Sequence, residues 1–189
     1  NYLSDQIVLN VSSPRRNTSN IRYYWRVRVY DTYLDGSWSS SANEHETVVA
    51  NNFRVFVPEY IGREDVTVNI TAGVPLSTLY TLPQPLQFNT ITDVTFTSNP
   101  DGSADIALVK PDKMIPPGET YEIQASVSSA TISELYQAGD DYPNWVTERY
   151  LSVPEGVTER TRALADDLSS DLTNPYEITQ AVSDYLRSN

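Results

Sequence analysis

The chain has 189 residues, no cysteine and a formal net charge of -12, with 13 basic side chains against 25 acidic ones. That length accommodates one large domain, or one domain and part of another, while the missing thiols exclude disulfides, thiolate metal sites and a cysteine nucleophile within the chain. The acidity opposes nucleic acid and anionic lipid as partners, because phosphates need clustered Lys and Arg.

Gln6 to Val11 places Ile7, Leu9 and Val11 on one face and predicts a first strand. The polar run from Ser12 to Asn20, with Pro14 inside it, reads as a loop. Tyr23 to Ser41 follows as the central hairpin. Tyr23, Trp25, Val27 and Val29 fall on one face, and Tyr24, Arg26, Arg28 and Tyr30 on the other. Trp25 is therefore expected in the core, where Trp→Ala costs roughly 3–5 kcal/mol. Asp35-Gly36 supplies the turn, and Trp38 starts the return.

Ser39 to Glu46 reads as a loop. Val48 to Val57 is expected to be a strand through Phe53, Val55 and Val57, and Val66, Val68 and Ile70 mark another. Leu76 to Phe88 holds two prolines and no period of its own, so it reads as an edge segment or crossing loop. Val94 and Phe96 alternate before Asn99-Pro100-Asp101-Gly102, a strong turn signal, and the chain returns through Ile106 and Leu108. Tyr121, Ile123, Ala125 and Val127 form the last strand. About eight strands at regular spacing predict a sandwich or barrel.

After Thr131 the period becomes helical. Ser133 is a candidate cap for one turn, and Tyr142 to Val146 opens a short helix running through Tyr150. Thr158 is placed to cap a helix through Leu168. Asn174-Pro175-Tyr176-Glu177 combines a cap, proline at the first helical position and Glu at the third, followed by an apolar stripe of Ile178, Val182, Tyr185 and Leu186. Charge shifts at the same point. Residues 1–60 hold six basic and six acidic residues, whereas 132–189 hold four and eleven. The expected fold is thus mainly β, an antiparallel β-sandwich over residues 1–131 followed by a small helical segment over 132–189. No apolar run nears the ~20 residues that span a bilayer, and no signal peptide opens the chain. Its abrupt ends at Asn1 and Asn189 are those expected of an excised piece.

Candidate chemistry is sparse. His45, the one histidine, lies between Glu44 and Glu46 with no local partners suited to a general base or a metal ligand. Asp31 with Asp35, and Asp101 with Asp105, flank the two turns. Paired carboxylates serve glycoside hydrolysis or calcium binding, but neither spacing matches an EF-hand loop, and aspartate favours turns for local reasons. Asn10, Asn17 and Asn69 head N-x-[ST] matches, a short pattern that often arises by chance. No catalytic, cofactor-binding or metal residue is assigned. Thirteen tyrosines and three tryptophans open a different reading, a carbohydrate-binding sandwich that stacks sugars on surface Tyr and Trp, which the exposure of Tyr24, Tyr30 and Tyr33 discriminates. Such a module should leave coplanar rings exposed, whereas a scaffold should bury Trp25 and Trp38 and show no aromatic platform.

The run YWRVRVYDTYLDGSW resembles the Y-W-R-x-x-x-Y-D-x-Y-x-G-x-G-W stretch of bacterial membrane-anchored transglutaminase-like proteins. YPNWVTERYLSVPEGVTERTRALADDL resembles that family's linker, and NPYEITQAVSDYLRS the first helices of its core. The three segments come in the family's order and cover most of the chain, though Ser37 stands where the family often has glycine. The resemblance implies an extracytoplasmic, non-catalytic scaffold or interaction domain. It implies a papain-like Cys-His-Asp core beyond Asn189, with a peptide or protein that this core crosslinks, hydrolyses or merely binds. It also implies attachment to the membrane only through transmembrane helices outside this chain. The first partner would be the downstream core of the same polypeptide.

Overall fold

Strict alternation is clearest where a strand has one buried and one solvated face. In the computed structural model, which describes residues 5–13, 23–51 and 62–188, it yields an antiparallel β-sandwich and a helical segment. The chain divides into two compact units, Asn1–Tyr30 with Ser40–Ser129, and Asp31–Ser39 with Ala130–Asn189. Among the described residues no helix is long and apolar enough to cross a membrane.

In the first unit, a four-stranded sheet runs in the order β1 (Leu9–Ser12), β5 (Arg63–Ala72), β9 (Thr120–Ser128) and β6 (Gln84–Phe88). A three-stranded sheet orders β4 (Glu44–Val48), β7 (Thr92–Ser98) and β8 (Ala104–Pro111). Every pairing in both sheets is antiparallel. Val66, Val68 and Ile70 of β5 and Tyr121, Ile123 and Ala125 of β9 share one core with Val48 of β4, Val94 of β7 and Ile106 and Val109 of β8. Each such Val or Ile taken fully out of water contributes about 1.5–3 kcal/mol. β7 and β8 form the expected hairpin, closed at Asn99, whose N–H donates to the Ser103 carbonyl at 2.8 Å.

Several expectations are corrected. Glu44–Val48 is a strand where a loop was expected, because its polar side chains are matched to β7. The Glu44 carboxylate accepts from the Ser98 N–H (2.6 Å) and hydroxyl (2.7 Å), and Thr47 Oγ1 donates to Asp93 at 2.6 Å. Leu76 to Phe88 ends in the edge strand β6, which holds Pro85 and a register shift before Gln87, as proline at an edge permits. Yet Leu79, Leu82 and Leu86 within it are almost wholly buried. The strand expected through Phe53, Val55 and Val57 lies outside the described residues, as does most of the loop expected around Pro14.

Tyr23 to Tyr30 is not a continuous strand. It is held by isolated antiparallel bridges, Arg26 to Thr81 and Arg28 to Leu108, so successive residues attach to different parts of the sandwich. Val27 and Val29 are only half-buried where a core face was expected, and Trp25 is 37% exposed and lies beside Tyr23, with ring centroids 6.2 Å apart. A short bridge cannot hold a whole strand face against the core, so the stability cost expected for a buried Trp25 does not apply.

In the second unit, Thr32–Leu34 (β2) and Ser37–Ser39 (β3) pair across Asp35-Gly36, both at positive φ as the turn demands (49° and 77°). The helices are α1 (Ile132–Gln137), α2 (Asn144–Tyr150), α3 (Glu159–Ser169) and α4 (Pro175–Ser188). Thr131, rather than Ser133, caps α1. Its hydroxyl accepts from the Glu134 N–H at 3.3 Å, and the Glu134 carboxylate accepts from the Thr131 N–H at 2.7 Å. Thr158 caps α3 as read, and Asn174 Oδ1 accepts from the Tyr176 N–H at 2.9 Å to open α4. Asn174 Nδ2 also donates to the Tyr136 carbonyl at 2.7 Å, tying α1 to α4.

Candidate functional site

The residues singled out for chemistry are dispersed. His45 sits on β4 opposite Thr95 of β7, and its Nδ1 is 3.1 Å from the Thr95 hydroxyl, an ordinary cross-strand contact. The Asp31 carboxylate accepts from the neighbouring Thr32 hydroxyl at 3.0 Å, while Asp35 serves its turn through backbone conformation. Asp101 Oδ1 accepts from the Ser103 N–H (3.0 Å) and hydroxyl (2.6 Å), which closes the Asn99–Ser103 turn. Asp105 lies on β8 opposite Thr97. Among the described residues no three His, Asp or Glu side chains are grouped closely enough to hold a metal ion.

The aromatic residues meet neither of the two alternatives set out above in full. Trp38 is 62% exposed, and Tyr24 and Tyr30 are exposed too, so Trp25 and Trp38 are not buried as a scaffold would have them. The two close ring pairs are not coplanar either. Tyr23 and Trp25 are tilted by 44°, and Tyr33 and Trp38 by 54° with centroids 5.2 Å apart. In the hairpin this arises from pairing, since Tyr33 and Trp38 are directly opposite and pack with tilted rings.

A site that the sequence reading did not single out lies on the outer face of the four-stranded sheet. Because β5 and β9 bury alternate residues, Thr67 of β5 and Glu122 and Gln124 of β9 point away from the core. Register places Thr67 opposite Gln124, and Gln124 opposite Gln87 of β6, so three polar side chains form a row across three strands. Asn89 and Asn51 close the row at the β6 edge. The Asn89 Oδ1 accepts from the Glu122 N–H at 2.8 Å, and the Asn51 N–H donates to the Phe88 carbonyl at 2.9 Å. Together these residues line a shallow depression of about 80 Å³. Its described lining presents amide, hydroxyl and carboxylate groups beside the buried Phe88, and no cation among the described residues. The signal in the sequence was the alternation itself, which marks Thr67, Gln87, Glu122 and Gln124 as outward without distinguishing a site from a solvated face.

No family model, curated protein or solved structure matches the chain.

Proposed function

We propose that this chain is a non-catalytic, extracytoplasmic interaction domain from a bacterial membrane-anchored transglutaminase-like protein, its helical segment running into the start of a papain-like core. The ordered resemblance of its three segments supports the reading. The observation that carries it is the state of α4. This helix is properly capped and amphipathic, yet none of its residues is fully buried, and Leu186 on its apolar stripe is 71% exposed. An apolar helical face is stable when something covers it. In this reading the cover is the downstream core of the same polypeptide, and the sandwich serves as the platform on which that core stands. The chemistry, a thiolate attacking an amide carbonyl of a peptide or protein, belongs to that core.

The test is to express the chain together with the polypeptide encoded directly after it. That stretch should contain a cysteine and a later histidine, and amide exchange in α4 should slow by at least tenfold relative to the chain alone, equivalent to about 1.4 kcal/mol. Leu186→Asp should abolish the slowing. A following stretch without cysteine, or equal α4 exchange in both forms, defeats the proposal.

A further inference from the structure

We infer that the depression on the outer face of the four-stranded sheet is a saccharide-binding subsite, distinct from the helical docking face proposed above and from the exposed aromatic rings. The argument begins with how the rest of that face is satisfied. Toward one end, the Thr71 and Thr120 hydroxyls bond each other across β5 and β9 at 2.7 Å. Toward the other, Arg63 donates to the Ser126 hydroxyl (3.1 Å) and carbonyl (2.9 Å). Between them, the side chains of Thr67, Gln87, Glu122 and Gln124 make no hydrogen bond to another described residue, although all four are half-buried and line one depression. Opposed polar side chains on a sheet face can pair across strands, as Thr71 and Thr120 do, whereas these four are left open to a ligand.

The chemistry of the lining selects the ligand. Side-chain amides supply a donor and an acceptor side by side, and a carboxylate supplies two acceptors, which together match the adjacent hydroxyls of a sugar ring. An anionic ligand would meet Glu122 with no cation among the described lining residues to offset it, and an apolar ligand would leave these polar groups unpaired. A metal ion would find a single carboxylate among the described lining residues. The small volume fits the hydroxyl-bearing edge of one sugar residue, with the rest of a neutral oligosaccharide lying over the sheet. Without a stacked aromatic, affinity should be weak, with a dissociation constant on the order of 1 mM.

The experiment is a titration of the isotopically labelled chain with neutral trisaccharides built from glucose, mannose and N-acetylglucosamine, followed by amide chemical shifts. Saturable shifts are expected in the side-chain amides of Gln87, Asn89 and Gln124 and along β6 and β9 for at least one sugar. Gln124→Ala and, separately, Gln87→Ala should weaken binding by roughly tenfold or more while leaving spectral dispersion and thermal midpoint unchanged. No saturable shift with any of the three overturns the inference. So do shifts confined to Trp25 and Trp38, or binding that both variants leave intact. A response to calcium alone, or to an unstructured peptide alone, would likewise overturn it. Because the helical face is untouched by these variants, failure here leaves the docking proposal standing.

Discussion

Tyr121 shows how one side chain can serve both packing and polarity. Its ring lies in the core, 1% exposed, and its hydroxyl accepts from the Tyr80 N–H at 3.0 Å and donates to the Tyr80 carbonyl at 3.1 Å. The phenol thus satisfies two backbone groups of the aperiodic stretch before β6, where no strand partner does so. Burial pushes its pKa well above the ordinary 10.0, because a phenolate in that setting would lose its hydration, and this outweighs the favourable backbone bond. A raised folded-state pKa means that the stabilising contribution is whole below the unfolded value and declines as pH rises from there through the folded one. Tyr121→Phe should therefore cost about 1–3 kcal/mol at neutral pH, by stranding the Tyr80 N–H and carbonyl. It should also flatten the loss of stability above pH ~10. Urea melts of both proteins across that range would show it, and an unchanged alkaline slope in the variant would refute the assignment.

At the scale of elements, α1 is fixed by its first turn more than by its packing, since none of its residues is buried. The Glu134 carboxyl is held below its usual range first by the Thr131 backbone N–H and then by the Thr131 hydroxyl. A depressed carboxylate pKa gives stabilisation that is present above the unfolded value and lost as pH falls through the folded one. The Thr131 amide resonance should accordingly titrate with an inflection below the ordinary Glu range. Glu134→Gln, which keeps a side-chain acceptor, should remove that inflection while preserving the helix. A Thr131 amide that titrates identically in the variant would show that another group is responsible.

The same elements show what the sequence could reveal. β5, β9 and the β7–β8 hairpin were legible because each has one face in the core and one in water, and α3 and α4 because Thr158 and Asn174 are caps by chemistry as well as by position. β4 was not, since its polar side chains take their order from β7, a partner distant in the chain. Leu79, Leu82 and Leu86 are enclosed on all sides and so produce no alternation. Trp25 followed the period on paper, but bridges at Arg26 and Arg28 replaced the strand that would have aimed it inward. The saccharide subsite was hidden for a further reason. Outward Thr and Gln residues look alike in sequence whether or not a neighbouring strand completes their hydrogen bonds.

At the scale of the molecule, the two units are stabilised by different means. The sandwich has a continuous core drawn from both sheets, whereas no residue of the four helices is fully buried. Helices of 6, 7, 11 and 14 residues are at or below the length that holds together in water without packing. Local bonds, such as the capping box of α1 and the Asn174 contact to Tyr136, then carry much of the second unit. Such bonds contribute only about 0.5–1.5 kcal/mol each. The chain alone should therefore lose its helices well before its sheets. In a urea titration, far-UV helical signal should fall at lower denaturant than amide protection in β5 and β9. Removing residues 130–189 should leave the later transition within roughly 1 kcal/mol of its original stability. A single coincident transition followed by every probe would show that the helices draw their stability from the sandwich, and α4 would then need no further partner to cover it.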